Sequence, residues 1–289
     1  VTQPIAANPR PASTVIVLRD GTAGPEVFMV KRHADTAFMG GAHVFPGGRV
    51  DEADRAADEA WCDGIDHAAR QFPDLSPAEA LAYHVAAIRE LFEEAGVLIA
   101  RHPGGDFVSL SGDAQARFAH DRTAVHSGAI TLRAVIEREQ LRAALDALVL
   151  FAHWVTPPID TRQFDTRFFM TRVPPRQTPV HDDAETTQSA WVRPADALEQ
   201  SRRGDIVLPP PTWTTLRELE PFQSVDDALA WARTRSIVRR MPLVRDENGV
   251  RMLLLPGDPL HPDTPGPERP VETRFVLADR RWRAERSDT

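Results

Sequence analysis

The sequence predicts a mixed α/β (α+β) domain, on three observations. Two β-branched runs, Val15-Ile16-Val17-Leu18 and Val27 to Arg32, flank the turn signals Asp20-Gly21 and Gly24-Pro25 and read as a hairpin. A longer segment, Pro77 to Ala95, places apolar residues at helical spacing behind the start signal Ser76-Pro77-Ala78-Glu79. From Leu150 onward, strand-like and helical stretches alternate towards the C-terminus.

Composition narrows the class. The 289 residues are 42% hydrophobic and 26% charged, ordinary for a globular chain whose core needs no covalent staples. The single cysteine, Cys62, cannot form an internal disulfide and suits a reducing, cytoplasmic setting. A formal charge of −8 disfavours nucleic acid and anionic membrane as partners. No apolar run approaches the roughly 18 residues of a membrane span, and Val1 to Pro11 has no signal-peptide core.

Taken in order, the hairpin leads to Phe45-Pro46-Gly47-Gly48, a turn that lets backbone approach a ligand closely. Asp51 to Leu75 is acidic and alanine-rich, with Trp61 and Phe72 as anchors and a short helix expected over Glu59 to Gln71. The helix from Pro77 to Ala95 should end at Gly96, a left-handed stop, before a strand over Val97 to Ala100. Residues 101–112 read as loop and 113–147 as helical, closing with Leu141, Leu145 and Leu148 on one face. Strands are expected over Leu150 to Val155, Phe164 to Val173 and Ala190 to Val192, with Asp165 and Arg167 on one face of the second. Helices follow over Pro194 to Arg202, Thr212 to Leu219 and Ser224 to Arg235. Two hairpins close the chain: Met241 to Val244 with Val250 to Leu255 about Asn248-Gly249, then Phe275-Val276-Leu277 with Arg281-Trp282-Arg283.

The chemistry concentrates in Arg89-Glu90-Leu91-Phe92-Glu93-Glu94-Ala95-Gly96-Val97. At about 100° per residue, Glu90, Glu93 and Glu94 share one stripe, while Ile88, Leu91, Phe92 and Ala95 take the opposite side. An acidic stripe is usually a solvated helix face. Three like charges at this spacing also destabilise a helix, and a hard divalent cation with oxygen ligands would offset the repulsion. Arg89 precedes Glu93 by one turn and can hold its carboxylate.

Gly47-Gly48 followed by Arg-Glu-Leu-x-Glu-Glu-x-Gly-Val resembles the Nudix box, whose second half is matched at every fixed position from Arg89 to Val97. The first half departs from it. Gly48 and Arg89 stand 41 positions apart instead of 14, so about 27 residues are inserted, and six positions after Gly48 comes Asp54 rather than glutamate. Counting back eight from Arg89 reaches Leu81, which is no acid. A box split this way, with Trp154-Val155-Thr156-Pro157, Phe164 to Phe169 and Leu208 to Pro211 further on, looks like the branch containing the peroxisomal coenzyme A diphosphatases.

The resemblance implies a Nudix fold, a mixed sheet sandwiched between helices. Its Nudix hydrolase domain would cover residues 12–204, with an insertion at about 55–75, a helical segment at about 113–147 and a C-terminal extension over 205–289. It implies Mg²⁺ or Mn²⁺ as cofactor, Glu90, Glu93 and Glu94 as metal ligands, and Arg89 as their orienting partner. Glu93 or Glu185 would accept a proton, with Asp183 second to Glu185, and Arg32, Gly47 and Gly48 would bind substrate. That substrate would be a small nucleoside diphosphate derivative, coenzyme A or acyl-coenzyme A, with ADP-ribose or a dinucleotide as the alternative. Against coenzyme A, the signature stretch that opens at Arg32 has Ala37 where a second arginine is expected. A homodimer is a further family expectation. From another class, a Nudix-fold ligand-binding module without turnover stays open, although such a module has no need of three clustered carboxylates.

Overall fold

The computed structural model describes residues 9–34, 40–158, 162–182, 184–263, 270–278 and 281–286. Ala37, Phe38, Met39 and Asp183 lie outside them. The framework is an eight-stranded mixed sheet, as expected from the resemblance. Its first hairpin is β1 (Arg10–Gly21) and β2 (Gly24–Arg32), antiparallel with Leu18 opposite Val27. Two short strands, β3 (His43–Val44) and β4 (Gly47–Arg49), pair with β2 and β1 respectively.

The insertion holds a 3₁₀ turn over Glu52–Ala56, β5 (Cys62–Asp63) and α1 (Ile65–Arg70). The expected helix over Glu59 to Gln71 is therefore confined to its second half. Gly64 breaks it: at φ 76° it adopts the left-handed conformation ahead of α1. Then comes α2 (Pro77–Ala95), with the bounds that its caps dictate. Ser76 accepts from the Glu79 N–H, and Gly96 at φ 66° closes the last turn.

Only Ala100–Arg101 (β6) of the next expected strand pairs, because Val97, Leu98 and Ile99 are buried without forming a ladder. The stretch expected to be helical to residue 147 gives α3 (Asp113–His126) and α4 (Leu132–Arg138), then stops. Gln140 turns left-handed at φ 54°, and the chain continues as β7 (Arg142–Ala144) and a 3₁₀ turn at Leu145–Ala147. Leu145 lies in the turn, Leu141 and Leu148 flank these elements, and all three are buried in the α2 layer, while β7 pairs with both β5 and β6.

The main sheet resumes with β8 (Val149–Val155), β9 (Phe164–Arg172) and β10 (Thr186–Val192). Helices α5 (Pro194–Arg203), α6 (Pro210–Leu219) and α7 (Val225–Thr234) follow. The strand β11 (Arg239–Arg240) then joins the sheet, giving the order β10-β2-β1-β9-β8-β11. β9 runs parallel to β1, and β11 parallel to β8. A second sheet contains β12 (Leu243–Glu247), β13 (Val250–Leu254), β14 (Arg274–Ala278) and β15 (Arg281–Glu285) in sequence order.

Alternation along β1 sorts the core into two layers. Val15 and Val17 face α2, with Phe169, Ile88, Leu91 and Phe92. Ile16 and Leu18 face the other way, with Met170, Phe168 and the apolar faces of α5 to α7. The 205–289 segment is joined to this second layer through Trp213, Leu216, Leu253 and Phe275. The expected Asp165–Arg167 pair forms at 3.6 Å, but Arg167 is held more closely by Asp74 at 2.6 Å.

The α2 layer contains a titratable core group. His84 is fully buried, with Nδ1 2.8 Å from the Ala80 carbonyl and Nε2 3.1 Å from the Gln71 amide nitrogen. Gln71 in turn donates to Leu148 O and accepts from Leu150 N, tying α1 to β8. Burial pushes the His84 pKa down to about 4. The unfolded chain, with an ordinary histidine, binds a proton that the native state refuses between pH 6.5 and 4. Stability from this group is therefore present above pH 6.5 and is lost as pH falls, by about 2 kcal/mol between pH 7 and pH 5. Urea titrations at the two pH values should show a steeper acid loss for wild type than for His84→Gln; equal losses would contradict this role.

Candidate active site

The two halves of the box, 41 positions apart in sequence, meet at the edge of the sheet. Gly47 and Gly48 lie on β4, beside the last two turns of α2. The Gly47 N–H donates to Glu94 Oε2 at 2.9 Å. A Cβ on Gly48 would stand 2.5 Å from Glu90 Oε1 and 2.6 Å from its Cδ, so glycine there makes room for the Glu90 carboxylate. A Cβ on Gly47 would run into the Ser13 carbonyl oxygen and Thr14 backbone.

These contacts separate two substitutions. Gly48→Ala displaces only the end of a flexible side chain and is expected to keep the melting temperature while lowering kcat/KM by about 10²-fold, as for a 1 Å misplacement. Gly47→Ala pushes against backbone and is expected to lose stability as well. Thermal melts and turnover of both variants check this order.

Arg89 is the hub of the acidic cluster and only 8% exposed. Its Nε and Nη2 donate to the two carboxylate oxygens of Asp54, each at 2.9 Å. Its Nη1 reaches Glu90 Oε1 at 2.9 Å and Glu93 Oε1 at 3.0 Å, and Nη2 also caps the Arg49 carbonyl at 2.7 Å. The Asp51 N–H donates to Asp54 at 2.8 Å, which fixes that carboxylate from the insertion side. The acid six positions after Gly48 is thus the bidentate anchor of Arg89.

The carboxylates are buried beyond what Arg89 neutralises. Desolvation, reinforced by Glu93 and opposed by Arg89, pushes the Glu90 pKa up to about 7. Glu94 is pushed well above the usual carboxylate range by burial first and by the charge of Glu90 second. The Gly47 N–H and Arg32 pull it back, while Glu185 adds repulsion. Arg32 and Glu185 therefore both act on Glu94 through space, although Glu185 is itself exposed.

A pair of buried, mutually repelling carboxylates with oxygen-only donors suits a hard divalent cation. Among the described residues, no group of three acids, histidines or cysteines converges into a ready cage. Glu93 Oε1 accepts from Arg89 at 3.0 Å, and its Oε2 lies 3.6 Å from His126 Nδ1, beyond hydrogen-bond distance. Glu90 and Glu94 offer oxygen donors of the kind a hard cation takes, and Glu93, like Glu90, shares an oxygen with Arg89.

Sequence reasoning missed three contributors. His126 ends α3 and faces Glu93. Arg122, on the same helix, donates from Nε to the Glu93 carbonyl at 2.8 Å and from Nη2 to the Val180 carbonyl at 3.0 Å. Nothing in the polar sequence of α3 marks it as a neighbour of α2. The third is Trp154, in the wall of the cleft.

The cluster opens into a cleft of about 880 Å³, near the top of the range of about 300–1,000 Å³ usual for ligand pockets. One end is polar, with Arg32, Arg49, Glu90, Glu93 and Glu185. The rest crosses the far face of the sheet over Ala12, Thr166 and Phe168, and is walled by Trp154, Pro209 to Thr212, Pro242 and Leu253.

Comparison with known proteins shows the family. The family model described as the NUDT19 Nudix domain matches residues 64–219, more than half of the chain. The acyl-coenzyme A diphosphatase NUDT19 of Homo sapiens is 30% identical over 276 residues, covering 82% of this chain and 72% of the human protein. Its Xenopus laevis counterpart is 26% identical over 285 residues, covering 86% of this chain and 74% of the relative. Among solved structures, a NUDIX hydrolase from Alicyclobacillus acidocaldarius is 26% identical with a TM-score of 0.64, covering 77% of this chain and 96% of its own. The matched region includes α2 and, in the cleft wall, Trp154 and Pro209 to Thr212, and the chain belongs to the NUDT19 family of Nudix hydrolases.

Proposed function

We propose that the chain hydrolyses the diphosphate bond of coenzyme A or acyl-coenzyme A, giving 3′,5′-ADP and the corresponding phosphopantetheine, with Mg²⁺ or Mn²⁺ as cofactor. The observation that supports this reading is one cleft in which buried carboxylates at one end lead into a trough whose walls mix apolar side chains with Arg10, Thr156, Arg162 and Thr212. Coenzyme A has that division, a diphosphate joined to an extended arm with little charge. The name of the human relative, which the chain matches over most of its length, points the same way.

Glu90 and Glu94 would hold the cation, with Glu93 completing the shell directly or through water. When bound, the ion neutralises diphosphate oxygens and lowers the pKa of a coordinated water. Arg89 does not touch substrate; it fixes Glu90 and Glu93 against the helix while Asp54 fixes it. The Gly47 N–H orients Glu94, and Gly48 leaves the space that the Glu90 carboxylate occupies. Glu93 or Glu185 would take the proton of the attacking water. Arg32, at the same end of the cleft, would pair with the phosphate oxygens.

The test is turnover of a panel: coenzyme A, acetyl-coenzyme A, ADP-ribose, NADH and a dinucleoside polyphosphate, with Mg²⁺ or Mn²⁺ and chromatographic product analysis. Release of 3′,5′-ADP from coenzyme A is the expected result. Cleavage of ADP-ribose or the dinucleotide alone would replace the substrate, and binding without cleavage of any member would overturn the enzymatic reading.

A further inference from the structure

We infer that Trp154 reads the pantetheine arm by donating its indole N–H to the outer amide carbonyl, the one nearer the sulfur. This deepens the substrate reading above and rests on it. Trp154 is 4% exposed and stands in the wall of the cleft. Its Nε1 has no hydrogen-bond partner among the described residues. A buried donor without an acceptor is costly, and native proteins complete such a group with protein, ordered water or a ligand; at Trp154 the group stands in the wall of a ligand-sized cleft. The ring itself is fixed by the core layer behind it and by the Arg240 guanidinium, 5.6 Å from its centroid.

Position follows from strand register. Arg49 pairs with Ala12, Ala12 with Thr166, and Thr166 with Trp154, one row across β4, β1, β9 and β8. Three inter-strand steps of about 4.8 Å put Trp154 roughly 14 Å from the Gly47-Gly48 end. In extended phosphopantetheine, the outer amide carbon lies nine bonds from phosphorus and the sulfur thirteen, roughly 11 and 16 Å at a normal advance per bond. An arm leaving a diphosphate at Glu90 and Glu94 therefore carries its outer amide to the indole. The surroundings suit its methylenes: Phe168, Leu253, Pro209, Pro211 and Pro242 line the same trough.

The same geometry makes Trp154 a specificity residue. ADP-ribose and adenine dinucleoside polyphosphates place hydroxyls, ring oxygens and adenine there, with no amide at that reach, whereas NADH carries its carboxamide nine bonds from phosphorus on a rigid ring and is not discriminated by this contact. A site that completes a buried donor discriminates against ligands lacking the acceptor.

The experiment compares wild type and Trp154→Phe on coenzyme A and on an analogue in which an ethylene unit replaces the whole outer CO–NH, removing the acceptor without adding a charge. The expected result is a KM for coenzyme A raised about 5- to 10-fold in Trp154→Phe, with kcat within twofold. Wild type should show a similar rise on the analogue, and the variant no further rise. Equal rises for the variant on both substrates would mean that Trp154 only packs, and would overturn the inference. Wild type that cleaves ADP-ribose but not coenzyme A would overturn the substrate reading and the inference together. Should the variant melt below the assay temperature, ¹⁵N-indole spectra of wild type serve instead. One of the six tryptophan N–H resonances should move downfield with phosphopantetheine and stay in place with its ethylene analogue. Six unmoved resonances would overturn the inference.

Discussion

Glu94→Gln is expected to lower kcat/KM for coenzyme A by 10³-fold or more and to leave the fold intact. Glutamine keeps an oxygen that can accept the Gly47 N–H, now at 2.9 Å from Oε2. It removes the negative charge that makes the position a cation ligand. A loss of 10³ corresponds to about 4 kcal/mol of transition-state stabilisation, the size expected when charge neutralisation at a diphosphate is withdrawn. The metal-free variant should melt no lower than wild type, because it relieves a buried carboxylate that Glu90 and Glu185 repel. Turnover together with melts in EDTA checks both halves. Activity within tenfold of wild type would remove Glu94 from the metal site.

Arg89→Ala has the larger expected effect on stability, about 3–5 kcal/mol. One guanidinium carries the bidentate contact to Asp54 and the bonds to Glu90 and Glu93. Asp54 is 1% exposed and Glu93 8% exposed, so neither carboxylate can turn to bulk solvent when the arginine is removed. Arg89→Lys should recover only part of the loss, since an ammonium cannot span the fork. Urea midpoints of the two variants give the comparison, and an unchanged midpoint for Arg89→Ala would contradict the hub role. Coenzyme A turnover should fall in both, because Glu90 and Glu93 lose their positioning.

The helix that carries the chemistry was legible in the sequence because its signals are local. Ser76 and Glu79 cap it, Gly96 ends it, and the three glutamates fall at fixed offsets within it. The hairpin of β12 and β13 was legible for the same reason: Asn248 and Gly249 both take positive φ, 52° and 79°, as their dipeptide suggests. The failures are long-range. Leu141, Leu145 and Leu148 keep helical spacing, but β7 is recruited by β5 and β6, and that pairing is invisible in a local window.

Asp54 was reached by counting, yet its role could not be assigned, since its partner lies 35 positions away. His126 and Arg122 belong to a helix whose docking against α2 leaves no periodic mark. Trp154 was visible as part of Trp154-Val155-Thr156-Pro157. Only the register of β8 against β9 shows that it lies in the row running from Arg49.

The most direct measurement is Mn²⁺ binding followed by electron paramagnetic resonance, on wild type, Glu94→Gln and Glu185→Gln without substrate. Wild type is expected to take up Mn²⁺ and gain thermal stability by mass action, Glu94→Gln to lose most of this binding, and Glu185→Gln to keep most of it. Wild-type-like uptake by Glu94→Gln would place the cation elsewhere and contradict the assignment of the α2 carboxylates as its site.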